Sequence, residues 1–169
     1  RQLLALSSTI GRPKVEVARE RILEINPDCQ VETMQCFAHN DTFDKIFDFR
    51  PNLIIDAIDS FNPKVELLSY IQSKKLPVIA SMGAALQMDP SCIKTDKLTR
   101  STYCPLARLI RKHLRRRGFG TDFWCVYSTE PRAEIGVIDS IVQSSCDFCY
   151  ERGRTRNTLG SLPTVTGIF

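Results

Sequence analysis

The stretch Leu53-Ile54-Ile55-Asp56-Ala57-Ile58-Asp59-Ser60 decides how this chain folds. Aliphatic residues run almost unbroken and then give way to two carboxylates. A parallel strand covered on both faces has this near-continuous apolar character, and open α/β sheets bind their ligands outside the carboxyl ends of such strands. An acid at that position meets a cation or a polar ligand. Alternatively, Asp59 or Ser60 caps the following helix, which Pro63 would open in its first turn. From this stretch alone, cap and functional acid stand level.

Working outward, helices alternate with strands, the pattern of a mostly parallel sheet. Gly11 and Pro13 introduce a helix through about Ile25, with Val15, Ala18, Ile22 and Ile25 on one face. Asn26-Pro27 ends it. The pattern predicts strands over 30–37, 52–58, 77–81 and 123–128, and helices over 42–47, 63–73 and 105–117, the last stopped by Gly118. Asp89-Pro90 closes a loop over 82–90. Beyond Pro131 the periodicity disappears, so 131–163 reads as a long loop with its own role. The expected fold is α/β, Rossmann-like, with a mostly parallel sheet flanked by helices, as one domain over 1–169.

Composition supports an ordinary globular domain: 43% of the 169 residues are hydrophobic and 25% charged. No apolar run approaches the roughly 20 residues that cross a bilayer, and the N-terminus lacks the order of a signal peptide. A cytoplasmic protein without a membrane association is expected. The seven cysteines are an odd, dispersed set, several of them in strand-like runs, which argues against a disulfide framework. Cys146-Asp147-Phe148-Cys149 is the one CxxC, and with no second pair it supplies only half of a tetrahedral zinc site. A redox or persulfide-carrying thiol and an incidental loop pair are the other readings.

Positive charge is localised. Between Lys97 and Thr121 there is no acid, while Lys97, Arg100, Arg108, Arg111, Lys112, Arg115, Arg116 and Arg117 all fall there, against a net charge of +4 for the whole chain. On the helix opened by Pro105, Leu106, Leu109, Ile110 and Leu114 form an apolar stripe that leaves Arg108, Arg111, Lys112 and Arg115 toward solvent. Such a face is either a solvated surface that complements the helix dipole or a phosphate-backbone patch for nucleic acid.

The chain opens at Arg1-Gln2 without an initiating methionine or an opening strand, and contains no G-x-G-x-x-G, so it reads as a fragment. In order and spacing, Arg1-Gln2, Gly11-Arg12-Pro13-Lys14, Ile55 to Ser60 and Pro63-Lys64 resemble the ubiquitin-activating-like adenylating enzymes. Within that superfamily, Gly83-Ala84, Met88-Asp89-Pro90-Ser91, Pro105-Leu106-Ala107-Arg108 and Val126-Tyr127-Ser128-Thr129-Glu130 are similar to the tRNA threonylcarbamoyladenosine dehydratase branch.

The resemblance implies ATP-dependent adenylation of a carboxylate, here that of threonylcarbamoyladenosine in tRNA, followed by ring closure with loss of AMP. It assigns Arg1 and Lys14 to the triphosphate, where fixed cations matter most as charge develops on the transferring phosphate. Asp59 would hold Mg2+, with Gln2 and Ser60 beside the nucleotide. Asp56 would satisfy backbone amides at the strand end or take part in catalysis. The glycine-rich loop and the ribose-binding acid of the family should lie upstream of Arg1, so this chain alone should bind ATP poorly. The missing paired zinc cysteines and the basic helix favour tRNA. The alternatives are activation of a ubiquitin-like or sulfur-carrier protein, with Cys146 or Cys149 accepting the acyl or sulfur group, and an inactive dimerisation fragment. A homodimer and a sulfur-transfer partner are the further associations the resemblance implies.

Overall fold

The computed structural model describes residues 4–131. The loop expected over 131–163, past Pro131, together with the CxxC pair, Arg1 and Gln2, lies outside the described residues. Five longer segments set the architecture around the sheet: α1 (Lys14–Ile25), α2 (Asn40–Ile46), β1 (Ile54–Asp56), α3 (Phe61–Ser73) and β2 (Val78–Ser81). They are followed by β3 (Ile93–Lys97), α4 (Pro105–Arg116) and β4 (Trp124–Ser128). The strand order is β1-β2-β4-β3, with β1, β2 and β4 parallel and β3 antiparallel on β4. The mostly parallel α/β expectation is borne out.

Helix ends follow from local chemistry. At the end of α3, Lys75 adopts φ +54°, and the Leu76 and Lys75 amides donate to the Ile71 and Gln72 carbonyls. Chain reversal of this kind satisfies carbonyls that the helix leaves orphaned. The same closure ends α4, where Gly118 at φ +77° supplies the left-handed residue without steric penalty and Phe119 N–H donates to Leu114 O at 2.9 Å. Gly118 thus stops the helix as its position in the sequence predicts.

Among the described residues one apolar core lies on one face of the sheet. Ile54, Val78, Ala80, Cys125 and Tyr127 from the strands meet Val65, Leu68 and Ile71 of α3 and Ala107, Ile110 and Leu114 of α4. Phe43 of α2 seals the flank, its ring 5.1 Å from that of Tyr70. Burial pushes the Cys125 thiol up to about 12, which keeps it in the unreactive protonated form. In the native protein at pH 8, mass-spectrometric mapping of iodoacetamide adducts is expected to find the exposed Cys36 modified and Cys125 untouched. Adducts on both at equal rate would contradict this core.

Three expectations need correction. The 30–37 segment is not a strand: a strand exists only through a hydrogen-bonding neighbour, and no described strand offers it an edge. β1 is shorter than 52–58 and is not covered on both sides, since Ile55 is 74% and Leu53 50% exposed. Among the described residues the helices cover the side of Ile54 and Asp56. In α1 it is Val17 that is buried, while Ile22 and Ile25, expected on the covered face, are exposed. β3 is an element the sequence reading missed. Among the described residues no helix is long and apolar enough to cross a membrane.

Candidate functional site

Because β1, β2 and β4 run parallel, their carboxyl ends share one rim, which antiparallel β3 joins through its amino end. The register aligns Asp56 with Ala80, Ala80 with Cys125, and Ile93 with Ser128. Residues 57–60, the 82–92 segment and residues 129–131 all leave the sheet there.

Asp59 is exposed on this rim. Ser60 occupies the N-cap position of α3, yet its side chain makes no capping hydrogen bond; instead its hydroxyl donates to Asp59 Oδ1 at 3.3 Å. Neither side chain caps the helix, and α3 begins at Phe61, earlier than Pro63. Apart from that contact no described hydrogen bond or ion pair engages the Asp59 carboxylate, which retains open lone pairs.

Beneath it lies an ion pair that sequence reasoning missed. Asp56 and Lys64 are both fully buried, with Lys64 Nζ 2.7 Å from Asp56 Oδ2. Among the described residues Asp56 Oδ2 has no hydrogen-bond partner beyond that charge contact. Asp56 Oδ1 accepts from the Ile58 amide at 3.0 Å, and Lys64 Nζ donates to the Ile58 carbonyl at 3.1 Å. Burial lowers the Lys64 ammonium from its ordinary value, against the opposing pull of the Asp56 charge. The expectation that Asp56 satisfies a strand-end amide is met; its charged partner, one turn into α3, left no mark in the apolar periodicity.

The 82–92 segment is fastened to the end of β4. Glu130 accepts from the Met88 and Asp89 amides at 2.9 and 3.1 Å, and the Thr129 amide donates to Cys92 O at 2.9 Å. Asp89 in turn accepts from the Ser91 hydroxyl at 2.6 Å, from Ser91 N–H at 2.8 Å and from the Cys92 thiol at 3.4 Å. These hydrogen bonds hold the Asp89 carboxyl below the usual range.

Lys14, the first residue of α1, is exposed and lines a cleft of about 330 Å³ together with Leu6, Arg12 and Val17. No described hydrogen bond or ion pair joins Lys14 to Asp59. A second hollow, about 400 Å³, lies between Leu53, Pro77 and Trp124 at the amino ends of the strands, away from the carboxylate rim.

On α4, Arg108, Lys112 and Arg115 are exposed, as the sequence predicts. Arg111 is a correction: it is half-buried, and its Nη1 donates to the carbonyls of Leu98 and Ser101 at 2.8 and 2.7 Å. Within that tight turn Leu98 O already accepts from the Ser101 amide at 3.3 Å and the Ser101 hydroxyl at 2.8 Å; the guanidinium, drawn inward, adds a further donor there and supplies one to Ser101 O. Exposed Arg116 extends the open face instead. Leu109 likewise falls outside the core, the buried stripe being Ala107, Ile110 and Leu114.

For a magnesium ion, the described residues contain no cluster of three or more acid, histidine or cysteine ligands. Mg2+ commonly takes only one or two carboxylates and fills its remaining positions with phosphate oxygens and water. A single open carboxylate such as Asp59 fits that donor set when a nucleotide lies beside it.

The sequence pattern of the ThiF family matches residues 1–158. The chain belongs to the ThiF family. Among the relatives of this ThiF-family chain is the tRNA threonylcarbamoyladenosine dehydratase of Bacillus subtilis, 35% identical over 130 residues, a match covering 77% of this chain. The chain spans about half of that relative, 51% of its length. The crystal structure of the E. coli tRNA N6-threonylcarbamoyladenosine dehydratase with AMP superposes with a TM-score of 0.78 at 30% identity, covering all of this chain and 64% of the other. The ATP complex of the same enzyme gives 0.73 at 34% identity, covering 80% of this chain and 59% of the other. The ThiF-family fold here is accordingly Rossmann-like.

Proposed function

We propose that the protein to which this chain belongs uses ATP to adenylate the carboxylate of threonylcarbamoyladenosine in tRNA and then closes the adduct into a ring. The observation that carries the reading is Asp59: an exposed acid at the carboxyl rim, uncommitted to capping, in a chain 35% identical to a tRNA threonylcarbamoyladenosine dehydratase.

In the first step a carboxylate oxygen attacks the α-phosphorus of ATP, and the bond to pyrophosphate breaks. In the second, a heteroatom of the carbamoyl group attacks the activated acyl carbon and AMP departs, so water is formally lost to ATP. Arg1 and Lys14 are assigned to the triphosphate and Gln2 and Ser60 to positions beside the nucleotide. Asp59 would hold Mg2+, which when bound neutralises phosphate charge and orients the leaving group. The described residues contribute a fixed rim: Ser60 turns the Asp59 carboxylate, and Glu130 holds the 88–89 amides in place.

The basic face supports the tRNA half of the reading. Arg108, Lys112 and Arg115 recur at helical spacing opposite the buried stripe and carry no described ion pair. Neutralising phosphates with such a face releases counterions and makes affinity fall with salt. The triple alanine variant at these positions, in the full-length protein, is expected to bind tRNA more weakly. The slope of log affinity against log salt should flatten by about two to three. An unchanged slope in filter binding would remove this face from the interface.

The decisive experiment is ATP-pyrophosphate exchange by the full-length protein. Threonylcarbamoylated tRNA is expected to stimulate it. Stimulation by a ubiquitin-like or sulfur-carrier protein instead would replace this reading with carrier-protein activation.

A further inference from the structure

The buried ion pair has no part in the chemistry just described, yet it sits directly under the residue that does. Both charges are fully buried. Replacing a buried ion pair by apolar residues of similar volume is often neutral or stabilising, so stability alone gives no reason for a lysine at position 64. The pair's hydrogen bonds point elsewhere. Asp56 Oδ1 holds the Ile58 N–H at 3.0 Å, Lys64 Nζ holds the Ile58 C=O at 3.1 Å, and the Lys64 backbone amide closes on Ser60 O at 3.1 Å. Ile58 thus has both polar backbone groups gripped by the same two side chains, and Asp59 is the next residue.

We propose that Asp56 and Lys64 are positioning residues, a buried clamp that fixes the peptide before Asp59 and so aims its carboxylate at the nucleotide; the aim, though not the clamp, rests on the proposed adenylation. A strand end that leaves a sheet has no ladder partner to hold it. The clamp replaces the missing ladder with two oppositely charged side chains, one from β1 and one from α3, so the strand end and the helix start are locked as a unit. Loss of geometry of about 1 Å at a reacting group costs on the order of a hundredfold in rate.

The test uses the full-length protein and the near-isosteric double variant Asp56→Asn/Lys64→Met, which removes both charges and leaves the Ile58 carbonyl without its donor. With melting temperature and folded concentration measured alongside, kcat for ATP-pyrophosphate exchange is expected to fall about a hundredfold, with KM for ATP changing by less than about threefold. Lys64→Arg, which returns a donor to both Asp56 and the Ile58 carbonyl, is expected to recover at least about tenfold of that loss. A folded double variant with wild-type kcat would overturn the proposal.

A measurement without turnover covers the case of a double variant that does not fold. In the wild-type protein free of nucleotide, hydrogen exchange is expected to be at least about tenfold slower at the Ile58 amide than at the Asp59 amide. Equal exchange at the two would overturn the clamp. If the wild-type protein exchanges no pyrophosphate at all, the adenylation reading falls, whereas protection at Ile58 still decides whether the clamp exists.

Discussion

Asp59→Ala in the full-length protein is expected to lower ATP-pyrophosphate exchange by about a thousandfold while leaving the melting temperature within about 2 °C of wild type. The two halves of this expectation come from the same geometry. Asp59 is exposed and its described side-chain hydrogen bond is from the neighbouring Ser60 hydroxyl, so its removal unpairs no buried group and deletes no cap. Substitutions at surface positions free of such ties change stability by a few tenths of a kcal/mol. Catalysis is different: an acid that orders a cation against phosphate oxygens acts where charge builds up, and losing a single preorganised electrostatic group of this kind costs about a hundredfold to a thousandfold or more. Exchange at the wild-type rate by a folded Asp59→Ala protein would exclude the metal-nucleotide role. A collapse of both rate and stability would place Asp59 in the fold and leave the role unassigned.

The second large effect is on stability. Lys64→Ala alone is expected to destabilise the protein by about 3–5 kcal/mol, since it leaves Asp56 as an uncompensated buried charge. For a domain of this size that corresponds to a melting temperature lower by roughly 10–20 °C. Asp56→Asn/Lys64→Met should lose far less, because it removes the second charge together with the first and keeps most of the volume. The comparison isolates the pair: thermal melts in which the single variant is no worse than the double would mean that the ammonium and carboxylate are not coupled. It also separates the two acids of the strand end by opposite signatures, Asp59 being costly to rate and Asp56-Lys64 costly to fold when broken on one side.

The parts of this molecule that were legible in advance are those written in local chemistry. The β1 end, the helices bearing Pro63 and Pro105, the Gly118 stop and the mostly parallel sheet follow from periodicity and turn residues within a few positions of themselves. What was not legible depends on partners distant in sequence. Residues 30–37 have the composition of a strand and no described edge to pair with. β3, Ile93 to Lys97, is an edge strand with exposed or half-exposed side chains, so it carries no apolar run, and only its pairing with β4 makes it a strand. Arg111 fits a basic helical face until the Leu98 and Ser101 carbonyls claim it. Nothing in the apolar periodicity marks Lys64 for burial, because a buried lysine requires a counter-charge and that charge lies on another element.

At the candidate site the split is the same. Asp59 and Ser60 could be singled out from the strand-end pattern, and the family resemblance separated the acid from the cap. The support beneath them could not, since the two groups gripping Ile58 come from a strand and a helix eight positions apart. Glu130 enters the sequence reading as the last residue of the Val126 to Glu130 motif; its use of one carboxylate oxygen on two successive amides of another segment emerges only in three dimensions.

That last attachment has a mechanical consequence. The chain leaves the sheet just after a residue stitched to Met88, Asp89 and, through Thr129, Cys92. Tension applied to the backbone beyond Pro131 would reach the 88–92 segment through four hydrogen bonds before it strained the β4 ladder. The end of β4 is therefore a strut between whatever the following residues contact and the rim that carries Asp59.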